Sequence, residues 1–312
     1  IIIIIKNITI VFWSCIMKRK MTVLANSCEI INYNIPGTDF ALQYNKLSYF
    51  DNMRAMCHWH EEIEMIRILT GEMLFYVNGH EYPLSEGQGL IVNSKQLHYG
   101  CARDNHDCDF YCIIVHPNVY NSQSDIYKNF VEKIIHNDTI KALLLEESNI
   151  LESKIIKEID TLMQTYKQDS ICKEMVCNGI LYNIWFYCYQ ILSKRYDLST
   201  KIKDNNLILQ RQMTNFIYQN YNETISLADI AASVNICRNK CCQLFKRYVQ
   251  QSPINFLNAY RLKKSLDLLR DSDLSITEIA TACGFNHLSY FEKLFFRHYK
   301  QTPRHYRQTK LK

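Results

Sequence analysis

Between Ser226 and Pro303 the chain writes one short helical unit twice, and no other feature restricts its folding as much. The first copy, from Ser226 to Tyr248, reads S-L-A-D-I-A-A-S-V-N-I-C-R-N-K-C-C-Q-L-F-K-R-Y. The second, from Ser275 to His298, reads S-I-T-E-I-A-T-A-C-G-F-N-H-L-S-Y-F-E-K-L-F-F-R-H. Ser226 corresponds to Ser275, Ile230 to Ile279, Ala231 to Ala280 and Ile236 to Phe285. One extra residue enters the second turn, after which Leu244-Phe245 match Leu294-Phe295, Arg247 matches Arg297 and Pro253 matches Pro303. A stacked repeat array needs about three units, so two copies predict a paired module.

Each copy predicts a helix-turn-helix. Ser226 with Asp229, and Ser275 with Glu278, have capping-box spacing. The first helix is expected to bury Ile230, Ala231 and Val234 in one copy, and Ile279, Ala280 and Cys283 in the other. The turn that follows, Asn235-Ile236-Cys237 or Gly284-Phe285-Asn286-His287, closes the angle between helices with its apolar residue. The second helix gathers Cys241, Leu244, Phe245 and Tyr248 on one face, or Phe291, Leu294, Phe295 and His298. Its other face carries Asn239, Cys242, Gln243 and Lys246, or Ser289, Glu292, Lys293 and Phe296.

Short polar and basic faces of this kind suit entry into a DNA major groove. Asn239, Cys242 and Gln243, with His287, Ser289, Glu292 and Lys293, are the candidate base readers. Gln243 suits adenine, Lys293 guanine, and Glu292 the amine of cytosine. Arg238, Lys246, Arg247, Arg297 and Arg304 are candidate phosphate contacts, which give affinity and register without sequence choice. Charge on a helix surface is ordinarily just solvated, but its recurrence at matched positions favours a reading surface. Pro253 to Arg270 predicts one continuous helix between the copies, with Phe256, Leu257, Tyr260, Leu266 and Leu269 apolar. Its length of roughly 27 Å would hold two recognition helices about one DNA turn apart, roughly 34 Å. From Leu207 to Lys312 there are 16 Lys+Arg against 7 Asp+Glu, a balance of +9 within a chain of net +5. A basic end on an acidic body is an electrostatic footprint of nucleic-acid binding.

The run I-T-E-I-A-T-A-C-G-F-N-H-L-S-Y-F-E-K-L-F, followed by T-P-R-H-Y-R, resembles the DNA-binding signature of the AraC/XylS family of bacterial transcription regulators. The resemblance covers the C-terminal hundred residues or so. It implies seven helices, two helix-turn-helix units joined by a linker helix, and binding to double-stranded promoter DNA. Lys300 and Gln250 stand where the family usually has Gly after the recognition helix. That position calls for positive φ, so a non-Gly residue costs about 1 kcal/mol. Phe296 replaces a residue that is usually basic.

Residues 1–16 are apolar and M-K-R-K-M follows them. The run is shorter than the roughly 18–20 residues that span a bilayer, and its positive charge follows rather than precedes it, unlike a signal peptide. Residues 1–24 are therefore expected to be a non-native or disordered leader, with initiation at Met17 or Met21 and no membrane partner; a peripheral anchor is the other reading. The 13 cysteines show no paired C-x-x-C spacing, which fits a reducing cytoplasm.

Residues 30–120 alternate apolar and polar in short runs, and V-N-G-H at Val77 to His80 is a hairpin turn. A small antiparallel β-barrel or jelly roll is expected. H-W-H-E-E-I-E-M-I-R-I-L-T-G, from His58 to Gly71, resembles the first cupin motif, and Gly87 with His98 keeps part of the second. The glycine expected ahead of His58 is absent, and Asn93 and Lys95 replace the usual Pro and Gly. In cupins the positions of His58, His60, Glu64 and His98 form a metal set suited to iron, manganese, nickel or zinc. One implication is a metal-dependent oxygenase or isomerase, or a metal sensor. The other is an effector pocket that hydrogen-bonds a sugar or similar polar molecule without any cofactor.

Residues 121–198 turn to helical periodicity, with Leu151, Ile155, Ile159, Leu162 and Met163 on one stripe. The segment from Met175 to Leu192 is apolar almost all round and so is expected to be buried, against the barrel or in a homodimer interface. The expected fold class is multidomain α+β. A cupin-like sensor spans 25–120, a helical dimerisation or packing region 121–198, a linker 199–206 and an all-α double helix-turn-helix 207–312. The chain reads as an effector-controlled, non-enzymatic regulator of transcription, with RNA polymerase a further partner.

Overall fold

The computed structural model describes Glu29, Ile31, Tyr33 and residues 38–168, 171–199 and 203–310. The expectation of a leader over 1–24 lies outside the described residues. Eight strands come first: β1 (Phe40–Lys46), β2 (Ile63–Thr70), β3 (Glu72–Val77), β4 (His80–Ser85), β5 (Gly89–Val92), β6 (His98–Ala102), β7 (Asp109–Val115) and β8 (Ala142–Leu145). They form two antiparallel sheets, one ordered β1-β7-β2-β5-β8 and the other β4-β3-β6, rather than one closed barrel. Closure fails because β8 occupies the free edge of β5. This strand is only four residues long, too short to be seen by periodicity, and lies in the stretch expected to be helical.

Strand alternation explains how the larger sheet is covered on both faces. Phe40, Leu42, Ile63, Met65, Ile113 and Val115 point to one side, where they share a core with α2 (Ile150–Lys167) and α3 (Lys173–Arg195). Ala41, Ile66, Ile68, Phe110, Cys112 and Ile114 point to the other, against Met73, Phe75 and Val77 of β3. The hairpin at Asn78-Gly79 has φ of 50° and 76°, the positive values that a two-residue turn of this type requires. A short helix, α1 (Glu132–Ile135), leads into β8.

The expected burial of the apolar helix is half met. Cys177, Leu181, Ile184, Trp185 and Cys188 of α3 are buried, but Met175, Val176, Tyr182 and Phe186 are exposed. A helix laid on a sheet and one neighbouring helix can cover only part of its circumference, so the opposite stripe stays bare.

Among the described residues, seven helices complete the chain: α4 (Asn205–Asn220), α5 (Leu227–Ala232), α6 (Arg238–Val249), α7 (Pro253–Asp271), α8 (Ile276–Ala282), α9 (Leu288–Tyr299) and α10 (Pro303–Lys310). The linker expected at 199–206 is already helical from Asn205, because Asp204 caps α4 through the amides of Asn206 and Leu207. No helix among the described residues is long and apolar enough to cross a membrane.

Candidate nucleic-acid interface and buried histidine cluster

Both helix-turn-helix units are built as the duplication predicts. Ser226 and Asp229 cap α5 reciprocally, and Ser275 and Glu278 do the same for α8. Ile230, Ala231, Cys241, Leu244, Phe245 and Tyr248 form the first interior. Ile279, Ala280, Cys283, Phe285, Phe291 and Phe295 form the second. Three placements differ in degree: Val234 and Leu294 are half-buried, and His298 is exposed rather than buried. His298 sits in the last turn of α9, where the interior side is already filled by Phe291 and Phe295. Gln250 and Lys300 adopt the left-handed conformation, with φ of 56° and 57°, in the positions where a glycine was missing.

The outward faces are free. Asn239 and Gln243 on α6 are exposed and Cys242 is half-buried; His287, which precedes α9, and Ser289, Glu292 and Lys293 on it are exposed. Arg238, Lys246, Arg247, Arg297 and Arg304 are also exposed, and no ion pair engages any of them among the described residues. The 19-residue α7 connects the two units.

Sequence reasoning missed the brace behind this arrangement. The buried Arg261 of α7 donates from Nε to the Tyr221 carbonyl at 2.6 Å and from Nη2 to the Glu223 carbonyl at 2.7 Å. It fixes the loop after α4, and Gly284 passes so close that an added Cβ would lie 2.4 Å from the Tyr221 oxygen. A lone arginine in an amphipathic helix gives no signal of this role.

The four cupin-like residues come together. His58, His60, Glu64 and His98 are 1–5% exposed, and their ligating atoms all lie within 4.8 Å of one another. Glu64 sits on the same side of β2 as Ile66 and Ile68, so it points between the sheets. His58 pairs with His98 as an isolated bridge beside β6. His60 Nε2 lies 3.0 Å and His98 Nε2 3.1 Å from Glu64 Oε2. Burial, reinforced by the neighbouring His98, holds His58 well below the ordinary imidazole range. Burial alone would raise the Glu64 carboxyl, but His98 and His60 outweigh it and leave it well below the usual range.

Alternation along Cys57-His58-Trp59-His60 turns the flanking side chains the opposite way. Cys57 is buried in the core of the first helix-turn-helix unit, with Leu207, Met213 and Tyr218 of the C-terminal domain, and Trp59 packs against it. The Tyr218 hydroxyl donates to the Cys57 carbonyl at 3.3 Å, and the Arg211 guanidinium stands over the Trp59 ring at 5.4 Å. Burial lowers Arg211 to about 10. The hairpin turn adds a second contact, where Gln250 Nε2 donates to the Gly79 carbonyl at 2.7 Å.

A family model described as an AraC-like ligand binding domain matches residues 50–154, and one described as a helix-turn-helix domain matches 230–309. The uncharacterized HTH-type transcriptional regulator YdeC of Bacillus subtilis is 32% identical over 266 residues, covering 80% of this chain and 85% of that protein. The chain belongs to the AraC/XylS family of transcription regulators. The melibiose operon regulatory protein of Escherichia coli is 22% identical over 267 residues, covering 80% of this chain and 83% of its own. The HTH-type transcriptional activator RhaS of Salmonella schwarzengrund is 24% identical over 260 residues, covering 80% and 87%. These relatives are regulators, and this chain is a transcription regulator with a ligand-binding and a DNA-binding domain, not an enzyme. The oxygenase or isomerase reading finds no support among them.

Proposed function

We propose that this regulator grips promoter DNA with α6 and α9 in successive major-groove segments. Asn239, Cys242 and Gln243 would read bases for the first unit, and His287, Ser289, Glu292 and Lys293 for the second. Arg238, Lys246, Arg247, Arg297 and Arg304 would neutralise phosphates. The observation that carries the reading is the repetition itself: two equally capped helix pairs, each presenting a free polar and basic face outward.

The sensor would impose control through the Cys57–Trp59 segment, whose inner face belongs to the histidine cluster and whose outer face belongs to the first unit's core. An effector there shifts the balance only by its differential affinity for two arrangements of that contact. The melibiose operon regulatory protein among the relatives supports a sugar as one effector class. The 4.8 Å span of the cluster, however, fits a single ion better than a sugar ring. The bare stripe of Met175, Val176, Tyr182 and Phe186 supports a homodimer formed through α3, since patches of this kind mark association surfaces. A bacterial cytoplasm and a contact with RNA polymerase follow from promoter binding.

Selection of preferred duplexes from a random pool tests the reading. Gln243→Ala should relax base preference at one position, worth about 1–3 kcal/mol of discrimination, whereas Arg297→Ala should weaken all sequences alike and flatten the salt dependence. Unchanged selectivity in Gln243→Ala would remove α6 as a reading helix.

A further inference from the structure

We propose that His58, His60, Glu64 and His98 bind one divalent transition-metal ion, and that this ion is a ligand to which the regulator responds. The regulatory half rests on the function proposed above; the binding half does not.

Hydrogen-bond accounting carries the argument. Each imidazole places Nδ1 on a backbone carbonyl: His58 on Met56 at 2.8 Å, His60 on Glu62 at 3.2 Å and His98 on Gln96 at 2.8 Å. A carbonyl only accepts, so each Nδ1 must carry hydrogen and each neutral ring offers a bare lone pair at Nε2. For His60 and His98 that lone pair faces Glu64 Oε2, at 3.0 and 3.1 Å, and a carboxylate oxygen also only accepts. His58 Nε2 likewise faces Glu29 Oε2 at 3.3 Å. The other neutral tautomer merely moves the clash to the carbonyl end.

Two remedies exist. Protonating both ends of all three rings would crowd cations whose ring centroids are 4.2, 4.9 and 5.6 Å apart, in a site almost closed to water. One cation at the centre instead satisfies every lone pair. Ligands about 2.0–2.1 Å from a metal stand about 3.0–3.4 Å from one another, which is the spacing seen between Glu64 and its two histidines. The pinned Nδ1 atoms are also the outer-shell hydrogen bonds that orient imidazole ligands.

Three nitrogens with one or two carboxylates favour zinc, manganese, iron, cobalt or nickel over calcium or magnesium. Cys57 supplies no thiolate, being buried in the core on the other face of its strand. The ion would join the 58–64 segment to β6 and so stiffen the surface that Cys57 and Trp59 offer to α4. Among the described residues this is the one such cluster of histidine, cysteine and carboxylate ligands.

The test uses the full chain stripped with a chelator, then dialysed against Zn(II) or Co(II). About one equivalent per chain should be retained, with a raised melting temperature and Co(II) visible bands free of thiolate charge transfer. Glu64→Gln, which preserves volume, and His98→Ala should each lose at least about tenfold in affinity. No retained ion, or equal retention by both variants, overturns the site; circular dichroism of the metal-free variants excludes misfolding as the cause of loss. Binding of the same preparations to selected duplex reads the regulator separately. Intact DNA binding without metal uptake sinks the site alone. Metal uptake that leaves DNA affinity unchanged sinks the regulatory half. Loss of DNA binding in all forms sinks the function proposed above.

Discussion

The two helix-turn-helix units share a plan but not an environment. The first shares its core with the sensor: Cys57, Leu97 and Tyr99 belong to the same buried cluster as Leu207, Phe245 and Tyr248. The second closes its core entirely from C-terminal residues, from Leu262 to Tyr306. Their turns differ as well. Asn235 takes positive φ without glycine, while Gly284 is wedged against Tyr221 and Arg261. Even the matched caps diverge, since Gln250 reaches the sensor's Gly79. Duplicated sequence thus yields one unit placed to be controlled and one placed to hold.

Three substitutions would break or sharpen this contrast. Gly284→Ala should cost about 2–3 kcal/mol, because its φ of 79° and the 2.4 Å approach of the Tyr221 oxygen leave no room for a Cβ. Asn235→Gly in the first unit should change stability by less than about 1 kcal/mol. Urea denaturation measures both, and equal costs would mean that the turns are interchangeable.

Tyr218→Phe removes the hydroxyl that donates to Cys57 and should cost about 0.5–1.5 kcal/mol in the full chain. An unchanged thermal midpoint would mean that the sensor does not rest on the first unit in solution.

The smallest effect separates the two caps. Lys300→Gly should stabilise by up to about 1 kcal/mol through relief of the left-handed conformation. Gln250→Gly gains the same relief but loses the bond to Gly79, so its net change should be near zero. Equal gains in both would show that the Gln250 contact contributes nothing.

Much of this was legible in the residues. Capping boxes, recognition helices and the Asn78-Gly79 hairpin follow from local rules, in which a few neighbouring side chains decide the backbone. The H-x-H pattern likewise placed His58 and His60 on one face of a strand, though Glu64 and His98 join them only through sheet pairing. Less visible was β8, too short to announce itself, and the bare stripe of α3, since overall hydrophobicity does not say how much surface its neighbours can cover. His298 was misjudged because helical spacing locates a face without showing where the interior is already full.

Local periodicity and spacing therefore determined which segments become helices, which face of each is apolar, and that the reading unit occurs twice. Only the tertiary structure decided that Cys57 and Trp59 meet α4, that Arg261 braces the loop at Tyr221, and that three imidazoles share one carboxylate. Those contacts join residues far apart in the chain. Their energy depends on shape and on pairing across distant segments, which no window of sequence contains.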